Sequence, residues 1–130
     1  MILSFNKQFL LPILDGKKIH SIRLDKANRW NKGRTIQMAT GVRTKNYYCF
    51  SEGECISTQK IAIYSSRKRL IIYVDGKKLE DVYALIKNDG FFCVNDFLEW
   101  FFPRYKTLDG EIYYQGIFRG KIIHWTDFKY

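Results

Sequence analysis

Hydrophobic and polar positions change period along the chain, and the changes mark its elements. Met1–Phe5 is an apolar opening that predicts a strand. Phe9–Leu14 is a short apolar run interrupted by Pro12. Proline lacks an amide donor and clashes with the preceding turn, so it belongs near the first turn of a helix. Gly16 then suits the left-handed residue just past the helix end. Ile19–Arg23 alternates like a strand, which puts Ser21 and Arg23 on one face. Asp25–Gly33 is a polar loop, and Thr35–Thr40 is an alternating strand with Ile36 and Met38 on one side. Gly41–Glu54 has no clear period and reads as a loop.

The second half resumes the strand pattern. Cys55–Tyr64 predicts a long strand with Ile56, Ile61 and Ile63 as its β-branched bulk. Ser65–Lys68 is a polar turn, Leu70–Val74 a strand, and Asp75-Gly76 a tight-turn signal. From Leu79 the apolar positions Val82, Tyr83, Leu85 and Ile86 recur at helical spacing, ending at Asn88-Asp89-Gly90. Val94–Phe102 restarts that spacing, with Asn95 as a candidate cap and Pro103 as the stop. Its stripe of Phe97, Leu98, Phe101 and Phe102, with Trp100 at the edge, reads as core contacts. After a turn at Lys106–Gly110, Ile112–Phe118 and Lys121–Thr126 predict the last strands, hinged at Arg119-Gly120. The pattern is α+β, with a helical insert among β segments that form one sheet or barrel. No repeat or linker divides residues 1–130, so one domain is expected.

Charge narrows the partners. The 130 residues carry 22 Lys and Arg against 13 Asp and Glu, a net charge of +9. That balance favours an anionic partner, with nucleic acid ahead of membrane. No apolar run approaches the ~20 residues of a membrane-spanning helix. The first residues lack a charged-then-apolar signal pattern, so a cytoplasmic protein is expected. Cys49, Cys55 and Cys93 are widely spaced, and His20 and His124 lie far apart. That spacing predicts neither a metal site nor a cofactor, and points to reduced thiols.

Two stretches carry candidate chemistry. Gly16-Lys17-Lys18-Ile19-His20-Ser21-Ile22-Arg23 gathers lysines, a hydroxyl and a guanidinium in one turn and one strand. A cation beside a hydroxyl activates a weak nucleophile, and cations beside an arginine hold phosphate. The same stretch also reads as a solvated basic turn leading into an edge strand. Gly41–Glu54 interleaves Arg43 and Lys45 with Tyr47, Tyr48 and Phe50, which suits phosphate contacts plus base stacking. The alternative is a loop whose aromatics fold back onto the body of the protein. Lys17 and Arg23, Arg29 and Trp30 in the polar loop, and Arg43, Lys45, Tyr47 and Tyr48 are the candidate ligand-binding residues.

Leu14–Arg23 resembles the signature of the ASCH domain, a family of the PUA-like superfamily. The pattern is a short helix, Gly-x-Lys, two residues, Thr or Ser, an apolar residue and Arg; Gly16, Lys18, Ser21, Ile22 and Arg23 match it. Asn88-Asp89-Gly90-Phe91, with Val94-Asn95-Asp96-Phe97 after it, resembles the family's acidic-Gly-Phe turn into a helix. The resemblance implies a small PUA-like β-barrel with short helices packed on one side. It also implies a role near RNA or nucleotides. Some relatives hydrolyse the amide of N4-acylated cytidine through a lysine, a hydroxyl residue and an acidic residue. By motif position these are Lys18, Ser21 and Asp89. Ser21 replaces the more usual threonine, and Asp89 stands where the hydrolases carry glutamate. That shortens its reach by roughly 1.5 Å. Asp89 also reads as a turn residue before Gly90. Three functions follow: a module binding RNA or single-stranded nucleic acid or a nucleotide, an amidohydrolase of a modified nucleoside, and a protein-interaction domain.

Overall fold

The structure, a computed structural model, describes residues 1–130. Its class is α+β, as the periodicity predicts. The strands are β1 (Ile2–Ser4), β2 (His20–Arg23), β3 (Thr35–Thr40), β4 (Tyr48–Glu54), β5 (Ser57–Ser65), β6 (Leu70–Val74), β7 (Lys77–Lys78), β8 (Arg104–Lys106), β9 (Ile112–Tyr114) and β10 (Gly116–His124). The helices are α1 (Leu10–Leu14), α2 (Val82–Asn88) and α3 (Val94–Phe101), and a 3-10 turn at Lys7–Phe9 leads into α1. The strands hydrogen-bond into three sheets rather than one closed barrel: β1-β3-β4, β2-β10-β5-β6-β7, and the hairpin β8-β9.

β10 is the spine of the larger sheet. It pairs antiparallel with β5 from Gly116↔Ser65 to His124↔Ser57, and its last four residues also pair with β2. Alternation sets the two faces. Ile61 and Ile63 of β5 are buried, while Lys60, Ala62 and Tyr64 point outward. Ile22, Ile72 and Ile122 join them in one apolar cluster that also takes in Ile36 and Met38 of β3, Leu85 of α2 and Phe97 of α3. Phe101 packs its ring 4.9 Å from Phe118, centroid to centroid, which ties α3 to β10.

Several boundaries differ from the sequence expectation. Tyr48–Glu54 is a strand paired with β3, not loop. Its register shifts between Met38 and Ala39, and that irregularity breaks the alternation that would have marked it. The strand expected from Cys55 begins at Ser57 and ends at Ser65. Arg119-Gly120 is no hinge, because β10 runs straight through it. A Cβ on Gly120 would meet the Arg23 carbonyl at 2.6 Å and the Phe118 ring at 2.7 Å, so this glycine serves close strand packing. The cap of α3 falls at Cys93, with no side-chain hydrogen bond, and Asn95 lies inside the helix. Asp75-Gly76 is a tight turn as expected, with φ of 50° and 81°.

Beneath the sheet lies a buried polar knot. The Tyr130 amide donates to Gln59 Oε1 at 3.0 Å, and Gln59 Nε2 donates back to the Tyr130 carbonyl at 3.0 Å. Gln59 Oε1 therefore faces His124 Nε2 as an acceptor at 2.9 Å, which puts the imidazole proton on Nε2. His124 Nδ1 has no partner. Burial, helped by the nearby His20 ring and Lys129 against the opposing Asp75, pushes the His124 pKa from 6.5 down to about 4. The unfolded chain thus takes up this proton first as pH falls, and stability drops from about pH 6.5 toward pH 4. We expect wild type to lose on the order of 2 kcal/mol between pH 7 and pH 5 in urea melts. In His124→Gln that loss should shrink; an undiminished loss in the variant would assign it elsewhere.

Candidate functional site

The chain end of α1 sets up the first half of the site. Gly16 adopts φ +75°, and the amides of Lys17 and Lys18 both donate to the Pro12 carbonyl, at 2.9 and 3.0 Å. These bonds close the helix and turn the chain into β2. The Ile19 amide donates to the Asn88 carbonyl at 2.9 Å, so the motif loop is fastened to the end of α2. The second half comes from that same end. Asp81 caps α2 by accepting from the Ala84 amide at 3.0 Å, and Asp89 closes it. Gly90 has φ +91°, and a Cβ there would lie 2.9 Å from Lys18 Cδ and 3.1 Å from Phe9 Cδ1. Both the turn and the Lys18 stem need a glycine.

Lys18, Ser21 and Asp89 line one cleft. Lys18 is 3% exposed and Asp89 2%. Lys18 Nζ donates to Asp89 Oδ1 at 2.9 Å and to the Asp89 carbonyl at 2.5 Å. The ammonium also sits 4.6 Å from the Phe9 ring centroid. It has three donors, so two are taken by Asp89 and one is left. Asp89 Oδ2 accepts no hydrogen bond within the chain and is not sealed from solvent. Beside this pair, Arg23 Nε donates to Ser21 Oγ at 2.8 Å, and Arg23 Nη2 donates to the Ser4 carbonyl. The Ser21 hydroxyl proton is therefore free to go elsewhere. The cleft holds about 380 Å³, within the range of small-ligand sites, and Phe5, Phe9, Phe91 and Trp100 supply its apolar wall.

Burial lowers the Lys18 pKa from 10.5, and the Asp89 carboxylate opposes the shift. Burial lowers that of Arg23 as well, again opposed by Asp89. A guanidinium stays charged all the same. The cleft thus holds two cationic side chains against one carboxylate. Such a site suits a polar ligand on which negative charge develops.

Behind the strand, His20 reaches the same carboxylate. Asn88 Nδ2 lies 3.1 Å from Tyr130 Oη, and Tyr130 Oη lies 2.6 Å from His20 Nε2. The Asn88 amide can only donate there, and burial holds the phenol protonated, so the phenol gives its proton to Nε2. His20 Nδ1 then carries the imidazole proton, 3.3 Å from Asp89 Oδ1 but too poorly aligned to make a hydrogen bond. Alternation correctly turns His20 away from Ser21. It could not show that Asp89 also borders the far side of the strand. Trp100 was also missed as a site residue: its place at the stripe edge is what brings it to the cleft wall.

The other candidates are not gathered here. Lys17, Arg29, Arg43 and Lys45 are exposed, Tyr48 is 58% exposed on β4, and Tyr47 precedes it in the turn. None of them lines the Lys18 cleft. Trp30 departs from the ligand-facing expectation, because its ring is 7% exposed and belongs to the core. Asp25 organises that loop instead, accepting from the amides of Arg29 and Trp30 and pairing with Lys121 at 2.8 Å. The described residues contain no group of three or more His, Cys, Asp or Glu side chains placed to hold a metal ion. No protein-family model, curated protein or solved structure matches the chain.

Removing one member of a buried pair leaves the other charge uncompensated. Lys18→Met should therefore cost roughly 3–5 kcal/mol in urea melts, and Lys18→Met/Asp89→Leu should recover most of it. A loss below about 1 kcal/mol in the single variant would mean that the pair is solvated like a surface ion pair.

Proposed function

We propose that the chain is an ASCH-like, PUA-like domain that binds a pyrimidine nucleoside in the Lys18 cleft and deacylates N4-acylcytosine. The observation that carries this reading is the convergence of Lys18, Ser21 and Asp89 in one cleft of nucleoside size. The resemblance in Gly16–Arg23 and in Asp89-Gly90-Phe91 supports the substrate class. The shorter aspartate is no obstacle to pairing, since Asp89 already reaches Lys18 at 2.9 Å through its side chain. Its turn position adds the backbone carbonyl as a second acceptor.

The chemistry is amide hydrolysis. Ser21 Oγ attacks the acyl carbon while neutral Lys18 takes its proton, and burial raises the neutral share of Lys18. Arg23, already donating to Ser21 Oγ, stands next to the carbonyl oxygen as it turns anionic. The C–N4 bond then breaks, Lys18 returns the proton to N4, and cytidine leaves with a free amine. Water cleaves the acyl-serine to release the carboxylic acid. Asp89 Oδ2, the free acceptor, holds the N4–H during attack. The aromatic wall of Phe9, Phe91 and Trp100 takes the base or the acyl group.

A second reading rests on the exposed Arg43, Lys45, Tyr47 and Tyr48, which offer phosphate contacts and stacking faces to nucleic acid. Turnover decides whether the cleft is catalytic. Wild type should release cytidine from N4-acetylcytidine, and Ser21→Ala should lose about 10²–10⁴-fold in kcat/KM with its fold intact by circular dichroism. Because Lys18 must be neutral to accept the proton, kcat/KM should rise with pH and level off below 10.5. Tight binding of N4-acetylcytidine with no release of cytidine would leave a binding cleft only. Turnover surviving in Ser21→Ala would exclude it as the nucleophile.

A further inference from the structure

The outward face of the five-stranded sheet carries a trough of about 630 Å³ that shares no residue with the Lys18 cleft. Small residues, Ala62, Gly76 and Gly120, line it between larger ones. The register explains the arrangement. Arg119 of β10 lies opposite Ala62 of β5, which lies opposite Tyr73 of β6, which lies opposite Lys78 of β7. Two positions along β5, Tyr64 stands beside the same trough, and Lys121 lies opposite Lys60 at its other end. Tyr64 and Tyr73 meet edge to face, 5.7 Å apart at 86°, and form an aromatic corner. The Arg119 guanidinium sits 5.7 Å from the Tyr64 centroid and donates to its hydroxyl at 3.2 Å.

The charges here are unbalanced. Lys26, Lys60, Arg119 and Lys121 line the trough against one carboxylate, Asp25. Lys121 already neutralises Asp25 at 2.8 Å, and the other three cations make no ion pair. Tyrosines flanked by unpaired cations on an outward sheet face serve no core. Phosphates complement the cations, and unpaired bases complement the aromatic corner. We propose that this face is a second binding surface, for single-stranded nucleic acid. The backbone runs past Lys26, Lys60 and Arg119, and a base stacks in the corner of Tyr64 and Tyr73. A duplex keeps its bases stacked inside and cannot use the corner.

The test is fluorescence anisotropy with a labelled oligouridylate, titrated between about 50 and 200 mM salt. Wild type should bind more tightly than it binds duplex RNA of equal length. Lys60→Ala and Arg119→Ala should each flatten the log–log salt slope by about 0.7. Tyr73→Ala should weaken binding about tenfold or more while leaving the slope unchanged. Tyr83→Ala, an exposed tyrosine on α2 outside the trough, should bind as wild type does. Absence of binding at low salt overturns the proposal, as does equal affinity for the duplex. Loss in Tyr48→Ala with retention in Tyr73→Ala moves the site to the β3–β4 turn and also overturns it. If Tyr73→Ala disturbs the sheet, the two exposed cation variants decide alone, and an unchanged slope in both is the contrary result.

Discussion

The ion pair between Lys18 and Asp89 is the contact on which the site depends. It joins two segments 71 residues apart in sequence. One is the turn after α1 and the other is the end of α2. Neither charge is tolerable alone where it sits, because desolvating an unpaired charge costs several kcal/mol. The surrounding details follow from keeping the pair together. Gly90 clears room for the Lys18 stem, the Asn88 carbonyl takes the Ile19 amide, and Phe9 packs its ring under the ammonium. The cleft is what remains open beside this joint, and Ser21 and Arg23 face it because strand alternation puts them on one side.

A buried pair of this kind is a poor source of stability compared with an apolar core of the same volume. What it does is hold a lysine away from its ordinary titration range. Lys18 is held where burial favours its neutral form and the carboxylate favours its charged form. A group balanced in that way exchanges a proton more readily than an exposed lysine. His20 and Tyr130 extend the polar environment behind Asp89, out of contact with the cleft. Under the two proposals the surfaces divide their ligands: the cleft would take one small ring, and the cationic trough across the sheet a phosphate backbone.

Much of this was legible in the sequence, and the limits have physical causes. The strands expected at Thr35–Thr40 and Leu70–Val74 match to the residue, and Gly16 ends α1 as its position required. Local signals of this kind involve neighbours within a few positions. Tyr48–Glu54 was hidden because a register shift breaks its period, and Arg119-Gly120 resembled a hinge because a glycine needed for close strand packing looks the same as one needed for a turn. The pairing of Lys18 with Asp89 could be expected only through the family resemblance, since no local pattern links them. Trp30 resembled a ligand-facing aromatic in a basic loop, yet Asp25 folds that loop so that the ring enters the core. The aromatic corner at Tyr64 and Tyr73 arises from cross-strand register, which single-strand periodicity does not carry.

The state of Lys18 is the most direct test of this account. The 13Cε chemical shift of Lys18 can be followed by NMR as pH rises. The midpoint should fall below the ordinary 10.5, because burial outweighs the carboxylate. In Asp89→Asn it should fall lower still, because the opposing charge is gone. A midpoint at the ordinary lysine value, unmoved by Asp89→Asn, would show that Lys18 is solvated and unpaired, and would contradict the account.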